Sequence, residues 1–183
     1  MAIADADGLE AVTLAAVAGA LGVRPPSLYN HVAGRDALLR AIALHGLHEL
    51  AAALRDASVG RAGEDALVAA ARAYRDYARA HPGRYAATLR APAPGDEEHA
   101  AAAKEVYDVV LAVMRGWELD DDAAVHAIRT VRSALHGFVA LEAAGGFGLP
   151  VDVEASYDRL VEAIAQGLAA TGSPPARRPG RSR

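Results

Sequence analysis

Alanine occupies 46 of the 183 positions, and this constrains the fold more than any other feature. A core built from methyl groups is dense only where backbones run close together, and alanine is the strongest helix former. The chain therefore reads as all-α. Hydrophobic residues make up 52% of it but aromatics only 5%, so few large groups are available to fill the spaces between helices. Cysteine is absent, which excludes disulfides and thiolate metal sites and suits a reducing cytosol. The Met1 region has neither the basic flank nor the apolar block of a secretory signal, and no run reaches the roughly 18 to 20 uncharged apolar residues of a membrane span. The expectation is a soluble, cytoplasmic protein without a membrane partner.

Glycine and proline divide the chain into helical blocks. Met1 to Asp7 is helix-compatible and is interrupted by Gly8. Thr13 stands at an N-cap position before Leu14, Val17, Ala18 and Leu21, which share one helix face, and Gly22 sits where a glycine ends a helix. Pro25 and Pro26 delay the next helix to about Pro26; it is short, reaching about His31, with Leu28 and Val32 turned inward. Ala33-Gly34 then precede a longer helix from about Arg35 to Ala57. Further helices are predicted at about Glu64 to Ala80, Arg84 to Arg90, Asp96 to Arg115 or Trp117, Asp121 to Ala144 and Val153 to Ala170. The acidic groups at 96–98 and 120–122 favour helix N-termini by opposing the dipole. Ser173 to Arg183 holds three prolines, four arginines and no aliphatic residue larger than alanine, so it is expected to be a disordered basic tail.

The segment Thr13 to Val32 is thus a helix, a tight Leu21-Gly22-Val23 turn and a second short helix, the geometry that places a reading helix in the major groove of DNA. Ser27, Tyr29, Asn30 and His31 put hydrogen-bonding groups on that second helix, where a helix present only for packing would carry Ala, Glu, Lys or Arg. Leu21-Gly22-Val23, Pro26-Ser27-Leu28-Tyr29, His31-Val32 and then Arg35-Asp36-Ala37-Leu38-Leu39 together resemble the DNA-binding domain of the TetR family of transcriptional regulators. Ser133-Ala134-Leu135-His136-Gly137-Phe138, and Tyr157-Asp158-Arg159-Leu160 leading to Gly167-Leu168, are similar to the WHG-type ligand-binding domain that accompanies some of these readers.

The resemblance implies a helix-turn-helix three-helix domain at 1–46, with its first helix truncated. A ligand-binding and dimerisation domain follows at 47–172 as an antiparallel helical bundle, and the tail occupies 173–183. It implies a homodimer bound to a palindromic double-stranded DNA operator, repressing until a small-molecule effector enters the bundle. Carried over by position, Ser27, Asn30 and His31 fall where the family reads base edges or nearby phosphates, and Tyr29 falls where an aromatic hydroxyl meets a phosphate. Thr13 is placed for a phosphate or for capping alone. Arg35 takes the place of the family's usual lysine. Arg24 is placed to read a guanine edge or to remain solvated, with Pro25 beside it. The family ordinarily has a full first helix behind a basic arm, whereas here only Met1 to Asp7 precedes Gly8, so Leu14, Val17 and Leu28 are expected to be exposed. Arg24, Arg35 and Arg40 stand against Asp5, Asp7, Glu10 and Asp36, leaving residues 1–46 at a net −1 within a chain of net −4. Modest affinity with a shallow salt dependence is expected.

In the second half, Val131, Leu135, Phe138, Val139, Leu160, Ile164 and Leu168 form a broad apolar stripe that the resemblance assigns to the dimer interface. Tyr74, Tyr77, Tyr85, Tyr107, Met114, Trp117 and His136 are the candidates for lining a pocket among the helices beginning at Glu64, Asp96 and Asp121. They suit a hydrophobic or aromatic ligand. His45 and His48 share a helical face with Glu49 beside them, but no third ligand is evident and no metal is expected. No cofactor is implied. No nucleophile stands beside a base, no carboxylates are credibly paired, and Gly145-Gly146-Phe147-Gly148 lacks the strand that a phosphate loop requires, so an enzyme is not expected. The alternative reading is a helical dimer that binds a small molecule or a protein, with DNA binding weak or lost because the first helix is short.

Overall fold

The structure, a computed structural model, describes residues 1–171, so the predicted basic tail lies outside the described residues. Within them the chain forms nine α-helices and no strand: α1 (Ala2–Asp7), α2 (Leu14–Leu21), α3 (Pro25–Tyr29), α4 (Arg35–Ser58), α5 (Gly63–Ala80), α6 (Pro82–Thr88), α7 (Glu97–Met114), α8 (Asp121–Ala143) and α9 (Val153–Thr171). The all-α expectation holds.

Local chemistry sets most of the boundaries. The Thr13 hydroxyl accepts from the Ala16 N–H at 3.1 Å and opens α2. Gly22, at φ +68°, closes it: its N–H donates to the Gly19 carbonyl and the Val23 N–H to that of Ala18, the paired bonds of a Schellman turn. α3 begins at Pro25 rather than Pro26, because the first helical position needs no N–H donor. It ends at Tyr29, with the His31 and Val32 N–H groups both returning to the Leu28 carbonyl. Pro82 starts α6 two residues earlier than predicted for the same reason, and Asp96 and Asp120 cap α7 and α8 through their side chains.

α4 runs unbroken for 24 residues, and the expected domain boundary at 46/47 falls inside it. By length and composition alone α4 would suit a membrane span. Here its apolar side chains serve two cores of the same chain. Leu39, Ile42 and Ala43 join Ala4, Val12 and Ala87 in a small N-terminal cluster. Leu50 and Leu54 join the main core with residues of α5, α7, α8 and α9.

One expectation is corrected. Leu28 is buried and Leu14 and Val17 are half-buried, whereas Leu21, assigned to the inner face of α2, is 63% exposed. α1 itself folds against α6. Ala4 is buried at that crossing, and a Cβ on Gly83 would stand 1.9 Å from the Ala4 carbonyl oxygen, so only glycine fits. Asp5 accepts from the Arg84 backbone N–H at 2.9 Å and from its Nε at 2.7 Å.

The residues expected to form a dimer stripe take part in the chain's own packing. Val131, Leu135, Val139 and Leu168 are buried in the chain's own core, and Phe138, Leu160 and Ile164 are half-buried against it. α8 and α9 pack on α5, which turns their apolar stripes inward. Arg75 of α5 fastens this corner. It is 3% exposed, forks onto Glu142 of α8 at 2.9 and 2.7 Å, reaches Glu154 of α9 at 2.8 Å, and stacks over the Tyr157 ring at 4.7 Å.

Hydrogen bonds from Arg75 hold the Glu142 carboxyl below its ordinary range, and those from Arg40, with the His99 N–H, hold Asp96 at about 2. Unfolding releases both to ordinary carboxylate values near 4, so the unfolded chain binds more protons in acid and the fold loses stability there. Thermal melts should show a midpoint constant above about pH 5 and falling steadily toward pH 2. Asp96→Asn should flatten part of that decline, and an unchanged acid limb in this variant would contradict the assignment.

Candidate nucleic-acid interface and ligand cavity

The α2 and α3 helices present Thr13, Arg24, Pro25, Ser27, Asn30 and His31 to solvent. The side chains of Arg24, Ser27, Asn30 and His31 have no hydrogen-bond partner among the described residues, so these groups are available to a ligand on that face. The side chain of Tyr29 lies outside the described residues. Arg35 is not free: its Nε donates to the Val12 carbonyl at 3.0 Å, and its Nη2 to the Leu9 carbonyl and Glu10 at 2.9 and 3.1 Å. It ties the start of α4 to the turn before α2. Arg40 is likewise held, by Asp96 and Glu98. Of the three arginines in residues 1–46, Arg24 alone has neither a carboxylate nor a carbonyl partner among the described residues.

The main core contains a cavity of about 310 Å³, within the range of small-molecule sites. Of the candidates, Tyr74, Tyr107 and Met114 line it. Tyr77, Tyr85, Trp117 and His136 do not line it. Tyr77 donates to the Gly46 carbonyl and Glu49, and burial pushes its hydroxyl well above the ordinary phenol range, with the Glu49 charge adding to the shift. Tyr85 sits behind the wall: its hydroxyl is 2.7 Å from that of Tyr74 and 2.6 Å from His136 Nδ1, and burial raises it first, with Tyr74 adding. Trp117 packs at the edge of the main core.

Sequence reading missed two contributors. Leu47, Leu50 and Leu54 of α4 form one wall, and Thr88 to Pro92 at the end of α6 form another. The pattern of α4 held the signal, since its apolar positions continue past the small N-terminal cluster into the second half. Arg90 and Arg132 line the cavity as well. His45 and His48 do not converge: His45 faces Glu49 at 3.1 Å and His48 faces Glu105 at 3.2 Å. Among the described residues no group of three His, Asp or Glu side chains is placed to hold a metal ion.

An exposed helix-turn-helix joined by one continuous helix to a helical bundle is the architecture of a DNA-binding regulator. Comparison with known proteins agrees. Residues 67–164 match the family model described as tetracyclin repressor-like, C-terminal domain. Over 165 residues the chain is 39% identical to the uncharacterized HTH-type transcriptional regulator Rv0681 of Mycobacterium tuberculosis, covering 90% of this chain and 75% of that one. It is 34% identical over 171 residues to the uncharacterized HTH-type transcriptional regulator YobS of Bacillus subtilis, covering 91% and 86%. The TetR family transcriptional regulator PfmR from Thermus thermophilus shares the fold, with a TM-score of 0.67 at 22% identity over 90% of this chain and 93% of that one. The chain belongs to the TetR family of transcriptional regulators, and it is not an enzyme.

Removing the Tyr85 hydroxyl would strand the Tyr74 hydroxyl and His136 Nδ1 without the partner that joins them. Tyr85→Phe is expected to lower unfolding stability by about 1–2 kcal/mol in urea titrations. A change within error of zero would show that the two groups find other partners at no cost.

Proposed function

We propose that this chain acts as a cytoplasmic homodimeric repressor that sits on a palindromic operator and leaves it when a small apolar or aromatic molecule enters the cavity. The observation that carries the reading is α4. Its first half follows the DNA-reading helices directly in the chain and packs with Val12, just before α2, and with Ala87 of α6, and Leu47, Leu50 and Leu54 in its second half wall the cavity. A ligand that pushes on that wall bears on a helix with no break before the reading head. Ser27, Asn30 and His31 take the base edges, Tyr29, Thr13 and Arg24 the phosphates or a guanine, and Pro25 sets the angle of α3. Arg35, held by backbone carbonyls, positions the head and contributes little charge to the DNA. The partner subunit meets α8 and α9 on their outer side, where Phe138, Leu160 and Ile164 are incompletely buried and Leu141 is 53% exposed. Two heads then span half-sites about 34 Å apart, one turn of DNA.

Selection of bound sequences from random DNA tests this directly. The wild-type chain should enrich a palindrome that Tyr29→Ala and His31→Ala both fail to enrich, and absence of enrichment by the wild type would sink the reading.

The alternative of weakened DNA binding rests on the engagement of Arg35 and Arg40 within the fold. It gives a quantitative expectation. With one or two free cations per head, the slope of log Kobs against log salt for the dimer should lie at about −2 to −4, taking ~0.9 per neutralised phosphate. Fluorescence anisotropy across salt concentrations measures it, and a slope near −8 would mean that other cations dominate.

A further inference from the structure

We propose that the cavity takes an amphipathic anion, an apolar chain or ring buried between α4, α5, α7 and α8 with a carboxylate-class head against Arg132. The inference rests on reading the cavity as the effector site and adds the charge and polarity of what fills it. Its lining is mostly apolar, with Leu47, Leu50, Leu54, Val110, Val113 and Ile128 among the side chains that form it. Its charged groups are of one sign. Arg90 and Arg132 line it, and no aspartate or glutamate does.

Arg132 is exposed and has no carboxylate within ion-pair distance among the described residues, and Arg90 reaches only Asp36 at 3.8 Å, a side chain that is 94% exposed. Of the neutral polar side chains of the lining, those of Thr88 and Tyr74 are already committed, which leaves the Tyr107 hydroxyl, without a partner among the described residues, beside the two arginines. The Thr88 hydroxyl donates to the Tyr85 carbonyl at 2.7 Å, and the Tyr74 hydroxyl is paired with that of Tyr85. The guanidinium of Arg132 acts on both of these tyrosine hydroxyls, opposing the upward push that burial gives them, so its field reaches the end of the cavity where they sit. A neutral ligand leaves it unanswered, a cation is repelled, and a carboxylate meets it with two parallel hydrogen bonds. The wider cleft beside the α4–α5 turn differs here, since Glu105 and Asp108 line it along with Arg55, Arg61 and Arg115.

Titration calorimetry on the full chain with three ten-carbon probes, decanoate, decan-1-ol and decyltrimethylammonium, separates charge from apolarity. Decanoate should bind roughly tenfold or more tighter than decan-1-ol, and the cationic probe should not bind. Arg132→Met, at an exposed position, should bring decanoate to the affinity of decan-1-ol while leaving the alcohol unchanged. Val110→Trp should abolish both by filling the cavity, with thermal melting verifying that this variant folds. Equal affinity for acid and alcohol, or decanoate binding unaffected by Arg132→Met, would overturn the anionic assignment while leaving an apolar effector in place. Failure of decanoate to bind overturns it too, and the DNA selection, run without ligand, judges the regulator reading separately.

Discussion

α4 buries apolar side chains in two separate clusters along a single uninterrupted rod, and the rest of the molecule is arranged around that constraint. At 24 residues it is about 36 Å long. Its N-terminal turns need cover from α1, the Val12 segment and α6, and its C-terminal turns need cover from α5 and α7. No glycine in left-handed conformation and no proline interrupts it, so the two clusters cannot rotate independently about their common axis. Gly46, near its middle, lies where a Cβ would come within 2.9 Å of the Arg84 carbonyl oxygen, which fixes how closely α6 crosses it.

The seam between the two clusters is ionic. Arg84 of α6 binds Asp5 of α1 and, through Nη1 at 2.7 Å, Glu49 of α4, and Glu49 also accepts from Tyr77 of α5. Three helices thus meet at one guanidinium, and α5 joins them through Glu49. Burial works against the charge of both Asp5 and Glu49, yet the bonds from Arg84 keep both carboxyls below their ordinary range. Such a node contributes orientation more than net stability, because the desolvation of its charges offsets much of their attraction.

Helix identities were legible because their signals are local. Thr13, Gly22, Pro25, Asp96 and Asp120 each act through a bond or an exclusion within a few residues of themselves. What was not legible depends on crossings between distant segments. The apolar faces of α8 and α9 carry the same periodicity whether they meet α5 or a second subunit, so Val131 and Leu135 offered no means of choosing. Tyr85 and His136 looked like pocket groups because both are large and polar-tipped, but their mutual hydrogen bond holds them behind the wall. Arg132 attracted no notice in the sequence, where it is one arginine among 18; its place in the lining of a cavity that, among the described residues, no carboxylate lines is what distinguishes it. The short helix at 2–7 was legible as a helix, but its seat on α6 was not, since that seat depends on the missing side chain of Gly83 far along the chain.

α6 is only two turns long, and its ends have different neighbours. Thr88 at one end belongs to the cavity wall, and Gly83 at the other lies against the backbone of α1. A helix of that length has no internal joint, so it behaves as a strut: displacement of one end is passed to the other instead of being absorbed between them. The cavity wall at Thr88 and the seat of the first helix at Gly83 therefore belong to one short rigid element, so the shape of one and the placement of the other are set together.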